Sequence, residues 1–337
     1  MNWETIDWHA LDRLRKGYLA GSAGNADYWQ SFSDLDSYNQ TFAQRIGWKW
    51  DYVLDDLKAL GWTPPNSEVL DWGCGSGVAG RAFLHHFGAE AVTGLRVWDR
   101  SPLAMDFAVK TARKKFSKLN VQSGLPETPG ILLLSHVLTE LTPEQIDELA
   151  NYVAKAEVVI WVEPGMYEAS LTLIAVRERL RSQFSIVAPC PHTEQCGILA
   201  PGNERDWCHH FAEPPSDIFT DPEWGKFAHL MGVDLRSLPV SYLVLDKRPQ
   251  TAFPADTYRV IGRPRIYKPY ASVQGCNACG VKNYELHKRD FPTAFKQWKK
   301  GNCPALQQWE TQDDRIVGIA AETEEEGDTN GEGTDPS

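Results

Sequence analysis

Glu68-Val69-Leu70-Asp71-Trp72-Gly73-Cys74-Gly75-Ser76-Gly77-Val78-Ala79-Gly80 is the stretch whose reading decides the fold. Glu68 to Trp72 reads as a short buried strand, and three alternate glycines follow at once. From Arg81 onward, Ala82, Phe83 and Leu84 resume with helical spacing, so the stretch is strand, glycine turn, helix. Glycine suits a backbone that must turn through conformations a Cβ forbids and let a ligand lie against it. The helix start behind the turn offers unpaired N–H groups to polar ligand atoms. An ordinary tight turn would explain the glycines alone. Gly75 to Gly80 also satisfies the dinucleotide pattern G-x-G-x-x-G.

An acid precedes the glycines, however, and the full string is D-x-G-x-G-x-G. That string resembles the first motif of the class I S-adenosylmethionine (SAM) methyltransferases. The resemblance implies that Asp71 lies near the methionine ammonium and that Gly73, Gly75 and Gly77 let the loop pass under the methionine and ribose. Asp99 ends the next apolar segment, where both nucleotide-binding families place a ribose-binding carboxylate. On the resemblance, SAM is favoured over NAD.

The chain has 337 residues, 42% hydrophobic and 23% charged, which suits one large α/β domain with an appendage. Nothing at Met1-Asn2-Trp3-Glu4 looks like an export leader, and no apolar run approaches a membrane span. A cytoplasmic monomer without membrane or DNA contacts is the expectation, or a protein of the mitochondrial matrix if the source is eukaryotic. The net charge of −11 is unevenly spread. Residues 255–301 carry ten Lys/Arg against three Asp/Glu, whereas residues 310–337 carry ten acids and one base. The reading is a basic C-terminal module and an acidic tail, the end of which should be disordered.

Residues 1–65 read as a helical segment, with apolar faces at Leu11, Leu14, Tyr18, Leu19 and at Ile46, Trp50, Val53, Leu54, Leu57, Leu60. Asp27-Tyr28-Trp29 and Ser31-Phe32 between them are the kind of segment that covers a cofactor. Residues 66–250 alternate strand and helix, which implies a mostly parallel sheet. Strands are expected at 69–72, 92–99, 119–122, 131–135, 158–163, 184–188 and 242–247, and helices at 78–86, 103–116, 143–154 and 169–181. The expected fold is therefore a seven-stranded, Rossmann-like α/β sheet of the class I SAM-methyltransferase type, with its ligand beyond the C-terminal strand ends. By position, Ser123 is an adenine-site candidate and Ser135 and His136 face the transfer region. Glu163-Pro164-Gly165 would wall the acceptor pocket. His136 has the ordinary pKa of a general base, although a hydrogen-bonded structural role is open to it. Glu140, in Leu138-Thr139-Glu140-Leu141, reads as part of a helix.

Seven cysteines remain to be placed. Cys74 lies in the glycine turn, and disulfides are not expected in a chain without an export signal. Cys190-Pro191-His192, Cys196 and Trp207-Cys208-His209-His210 form a Cys/His-rich insertion (residues 189–211) that suggests metal ligation, scattered buried thiols being the alternative. Pro189-Cys190-Pro191-His192, Cys196, Asp206-Trp207-Cys208-His209, Glu163-Pro164-Gly165, and Arg263-Pro264-Arg265-Ile266-Tyr267-Lys268 with Cys276 and Gly280 resemble a family of methyltransferase-like proteins of the small ribosomal subunit. Its members include mitochondrial ribosome-assembly factors and bacterial homologues. His287-Lys288-Arg289-Asp290 and Lys296 to Lys300 complete a resemblance that covers roughly residues 66–300.

The resemblance implies a [4Fe–4S] cluster on Cys190, Cys196, Cys208 and Cys276. Four thiolates would also hold zinc, and Cys279 competes with Cys276. The Cys196–Cys208 interval is longer than the family's, and Gly197 stands where a proline is usual. In residues 251–308, strands at 257–262, 271–275 and 281–287 suggest a small β module decorated by Arg259, Arg263, Arg265, Lys268, Lys288 and Arg289, with Tyr267, Tyr270 and Trp298 to stack. Such interleaving suits rRNA; a solvated basic face is the plain alternative. The acidic tail follows from 309. The expected function is SAM-dependent rRNA methylation, assistance to subunit assembly, or both. The rivals are a catalytically inactive assembly factor and a methyltransferase acting on a small molecule or protein.

Overall fold

The computed structural model describes residues 2–21 and 28–320; Asp27 and the end of the acidic tail lie outside them. Three helices come first, α1 (Trp8–Leu19), α2 (Phe32–Gln40) and α3 (Phe42–Ala59). The alternating part then runs β1 (Glu68–Trp72), α4 (Val78–Phe87), β2 (Gly94–Trp98), α5 (Pro102–Lys115), β3 (Val121–Ser123), β4 (Ile131–Ser135), α6 (Pro143–Val153), β5 (Val158–Pro164), α7 (Tyr167–Leu180) and β6 (Ser185–Ala188). A short β7 (His210–Ala212), α8 (Pro222–Met231) and β8 (Leu238–Asp246) complete the sheet domain. Strand order is β3-β2-β1-β4-β5-β8-β6, parallel from β3 to β5, with β8 antiparallel to both β5 and β6.

The central strands are apolar along their whole length because helices cover both faces. All seven residues of β5 are buried. Trp50, Val53, Leu54 and Leu57 of α3 pack with Phe83 and Leu84 of α4 on one face. Leu149, Val153, Leu173, Val176 and Leu180 of α6 and α7 cover the other. Local caps agree with this arrangement: Ser101 accepts from Ala104 N–H with Pro102 opening α5, and Thr142 and Gln145 form a capping box on α6. Among the described residues no helix is long and apolar enough to cross a membrane.

The seven-stranded, mostly parallel sheet expected from the sequence is present, with differences at its ends. β7, only three residues long, pairs with the start of β8 as an eighth strand. Leu138–Glu140 is a single 3₁₀ turn rather than part of a helix.

The C-terminal module is a closed five-stranded barrel, β10-β11-β13-β12-β9. Its strands are β9 (Thr257–Ile266), β10 (Tyr270–Asn277), β11 (Gly280–His287), β12 (Leu306–Gln312) and β13 (Arg315–Ile319), with α9 (Pro292–Lys299) between β11 and β12. Closure needs β12 and β13, so the barrel continues to Ile319 where a tail from 309 was expected. Trp309 fills its interior, stacked on Tyr258 at 4.8 Å. Gly275 makes the room, since a Cβ there would lie 2.7 Å from the Trp309 ring.

Candidate functional site: a roofed cavity and a thiol junction

A cavity of 370 Å³ opens where β1, β2 and β4 end. Its floor is the glycine turn. Gly73, Gly75 and Gly77 have φ of 68°, 49° and 76°, so each holds the left-handed conformation that a side chain resists. Gly77 also meets α5: a Cβ there would stand 2.9 Å from Ala108 Cβ. At Gly75 the nearest atom would be Trp29 Cζ2 at 3.8 Å, so the roof lies directly over the turn.

Two carboxylates shape the floor. Asp71 Oδ2 accepts from Gly80 N–H at 2.9 Å, while Oδ1 is buried with no hydrogen-bond partner. Burial pushes its carboxyl up to about 7. Asp99 accepts from Gly75 N–H through Oδ2 and from Ser101 N–H through Oδ1, both at 2.9 Å, and so fastens the turn to the end of β2. Its carboxyl too is raised by burial, with the two backbone donors opposing.

Helices α1 to α3 form the roof, with Tyr18, Trp29, Tyr38 and Phe42 facing the cavity together with Arg45 and Lys49. The Trp29 and Tyr38 rings meet edge to face at 5.0 Å. Lys49 is 7% exposed, and burial lowers its ammonium to about 7, with Arg45 adding to the effect and Glu163 opposing it.

The back wall follows β4. The Ser135 hydroxyl accepts from Trp50 Nε1–H at 2.9 Å. His136 holds a positive φ of 56°, costly for a residue with a Cβ, and its N–H donates to Val162 O at 2.9 Å. Its Nε2 is buried without a partner. Burial holds the imidazole well below its ordinary range, helped by Lys49 and Arg45, so it is neutral. Behind it Glu163 Oε1 accepts from Val137 N–H (3.0 Å), Leu138 N–H (3.1 Å) and Trp161 Nε1–H (2.7 Å), leaving Oε2 unpartnered. Burial lifts Glu163 and Glu140 to about 7 each.

The structure thus brings Gly73, Gly75, Asp99, Ser135 and His136 onto the cavity wall. Asp71 and Gly77 stand directly behind it, whereas Ser123 ends the edge strand β3 away from the lining. Sequence reasoning missed Tyr38, Arg45 and Lys49 and read Glu140 as structural, yet all four line the cavity. Two cations four residues apart on one face of an apolar helix were the available signal.

The second candidate lies where barrel and sheet meet. Cys190 follows β6, Cys196 precedes a 3₁₀ turn at Gly197–Leu199, Cys208 precedes β7, and Cys276 sits on β10. Cys196, Cys208 and Cys276 pack in one small apolar cluster with Ile174, Ile198, Ile261 and Val281. Burial, then Cys190, Cys196 and Cys276, drives the Cys208 thiol far above its ordinary value. Burial, then Cys190 and Cys196, raises Cys276 likewise. Two buried arginines attend them. Arg177 Nε–H donates to Cys190 Sγ at 3.3 Å and its Nη2 to the His192 and Glu194 carbonyls. Arg259, 2% exposed, donates to Pro189 O at 2.7 Å and to Asp56 Oδ1 at 3.1 Å. Cys276 Sγ lies 3.5 Å from His192 Nε2. Cys279 is exposed on the β10–β11 turn, and Cys303 bonds with Gln307.

The donor set suits a centre that takes four thiolates. As packed, no three His, Cys, Asp or Glu groups among the described residues close round a single metal ion.

Among solved structures, the chain is similar to magnesium protoporphyrin IX methyltransferase from Synechocystis PCC 6803, at 13% identity and TM-score 0.38, over 71% of this chain and 94% of that one. It is similar also to TrmK from M. capricolum, at 11% identity and TM-score 0.31, over 57% and 67% of the two chains. No curated protein matches the sequence. A family match spans residues 68–300, more than two thirds of the chain, from the first strand of the sheet through α9 of the barrel. The chain belongs to the family described as mitochondrial small ribosomal subunit Rsm22.

Proposed function

We propose that the protein is a SAM-dependent, methyltransferase-like factor of the small ribosomal subunit, acting on its rRNA or in its assembly. The observation that carries this is Asp71. It is a buried carboxylate with one oxygen unsatisfied, set behind a left-handed glycine turn at the strand ends of the sheet. An uncompensated polar atom there is expensive unless a ligand completes it.

SAM, when bound, supplies the reactive methyl. Asp71 would face the methionine ammonium, Gly73, Gly75 and Gly77 would pass beneath the methionine and ribose, and Asp99 would take a ribose hydroxyl on its remaining lone pairs. Ser135 would close the methyl end, with Ser123 toward the adenine. The aromatic roof excludes water, and the chain's main contribution is to hold the acceptor in line. His136 is held neutral by burial and by Lys49 and Arg45, so its unpartnered Nε2 would orient the acceptor by a hydrogen bond rather than take its proton. One observation favours the non-catalytic reading: neither an Asn-Pro-Pro-Tyr string nor a cysteine stands at the end of β4 or β5.

We further propose that Cys190, Cys196, Cys208 and Cys276 hold an iron–sulfur cluster that clamps the barrel to the sheet. Zinc is the alternative. The apolar cluster that Cys196, Cys208 and Cys276 share, and the buried Arg177 on Cys190 beside it, support this reading. In it the basic barrel contacts rRNA, and the site of action is the mitochondrial matrix in a eukaryote or the cytoplasm in a bacterium.

Transfer of radiolabelled methyl to purified small subunits, compared with free rRNA and small metabolites, tests the activity. Labelled rRNA supports it. Label only in metabolites overturns the ribosomal assignment, and SAM binding with no transfer supports the assembly reading. Anaerobically purified protein should be brown and contain iron; colourless protein containing zinc replaces the cluster.

A further inference from the structure

Met166 and Pro164 sit on the cavity wall, and between them the Gly165 carbonyl accepts from Trp207 Nε1–H at 3.0 Å. A line of rings, exposed at Tyr167 and half-buried beyond it, starts there. Tyr167 meets Trp207 edge-on at 6.0 Å, Trp207 stacks on His209 at 4.6 Å, and His209 meets Phe211 at 5.4 Å. The exposed Arg263 guanidinium then covers Phe211 at 4.1 Å, and the exposed Arg265 and Lys268 follow it along the barrel edge. The line is built, not incidental. Gly262 N–H of the barrel donates to His209 O at 2.8 Å. Gly262 also has φ +70°, and a Cβ there would stand 3.1 Å from the His209 ring.

We infer that this line is a stacking track that leads single-stranded RNA from the barrel edge to the mouth of the methyl-donor cavity. The inference rests on the proposal that the barrel grips RNA, and adds which strands it takes and by what path. Exposed Tyr167 offers a π face that any base can use, Trp207 and Phe211 offer the faces that His209 and Arg263 leave, and cations at one end supply the phosphate contacts. Charge sets the direction. Tyr167 OH donates to Glu204 O at 2.6 Å, so Glu168, Glu204 and Asp206 outnumber Arg205 at this end and disfavour phosphate; at the cavity mouth it is bases that face the protein, the orientation a base modification requires. A duplex hides those faces and cannot use the track.

Fluorescence anisotropy of the full chain with a short labelled oligouridine, across a salt series and beside an RNA duplex, tests this. Single strands should bind better than duplex. Tyr167→Ala and Phe211→Ala should each weaken single-strand binding about 5- to 150-fold with the salt slope unchanged. Arg265→Ala or Lys268→Ala should instead flatten the salt slope by about one. Tyr167→Phe keeps the ring and should keep the affinity. Tyr167 is already exposed, so its variants should fold even if Phe211→Ala does not, and thiouridine crosslinks should map to Trp207 or Phe211. If the cation variants act as stated but the ring variants bind like wild type, the track is wrong and the barrel reading survives. Loss of a protein contact with unchanged RNA binding in the ring variants also overturns the track. If the unaltered chain binds no RNA, both fall.

Discussion

Asp71→Asn should make the protein more stable above neutral pH and weaken its hold on SAM. The Asp71 carboxyl is buried, and its pKa lies at about 7 in the folded chain against 3.8 in a model peptide. The folded state therefore holds the proton more tightly than the unfolded one. That advantage is complete below pH 3.8 and is lost as pH rises through about 7. The difference is worth up to about 4 kcal/mol at about 1.4 kcal/mol per pKa unit. An amide keeps the oxygen that accepts from Gly80 N–H and carries no charge to desolvate. The variant should thus match wild type at pH 4 and melt several degrees higher at pH 8.5. Losing a charge-assisted contact to the ligand should weaken SAM about 10- to 150-fold. Wild-type affinity should rise with pH up to about 7, because a cationic ligand prefers the ionised carboxylate. Scanning fluorimetry across pH with and without SAM, and titration calorimetry in buffers of different ionisation enthalpy, read both effects. Equal SAM affinity together with parallel pH–stability curves would refute the reasoning.

Gly77→Ala should cost about 2–5 kcal/mol of stability, from left-handed strain and overpacking against Ala108, measured by urea unfolding. Gly75→Ala should cost about 1–2 kcal/mol from left-handed strain alone, since its Cβ makes only an ordinary contact with Trp29 at 3.8 Å, but should lower SAM affinity in calorimetry. Arg259→Met should destabilise by about 3–5 kcal/mol because Asp56 loses its counter-charge and keeps only the Tyr242 hydroxyl, and adding Asp56→Asn should restore much of that in a double-mutant cycle. Cys190→Ser and Cys276→Ser should lose bound metal and soluble yield, whereas Cys279→Ser should lose neither; full stability of the metal-free chain would contradict the clamp.

The sheet was legible because its signals are local. Val69 to Trp72, Ile131 to Ser135 and Val158 to Glu163 are apolar runs whose ends coincide with Gly, Ser-His and Pro, and the observed strands stop there. α8 was equally legible, with Asp221 capping, Pro222 opening and Gly232 closing an i, i+3, i+7 stripe of Trp224, Phe227 and Met231, but it was not read. β12 and β13 were hidden by averaging. Acids at Glu310, Asp313 and Asp314 made the segment read as tail, although two of them form the hairpin turn around the buried Trp309 and Ile316. The glycine turn and Asp99 could be placed from the sequence, while the roof could not, since Tyr38 and Lys49 reach the cavity only through helix packing. The positive φ of His136 has no sequence signature at all.

Helix α3 carries Lys49 at the cavity and Asp56 at the barrel, where Asp56 accepts from Arg259, 203 residues later in the chain. Trp62, just after it, donates to Asp246, 184 residues on. During synthesis at roughly 5–20 residues per second, the helix therefore waits about 10–40 s before its far partner leaves the ribosome. Throughout that interval the apolar stripe of Trp50, Val53, Leu54 and Leu57 lacks part of its cover. The residues of the cavity, all at or before Met166, are therefore made while this stripe still waits for β8 and the barrel.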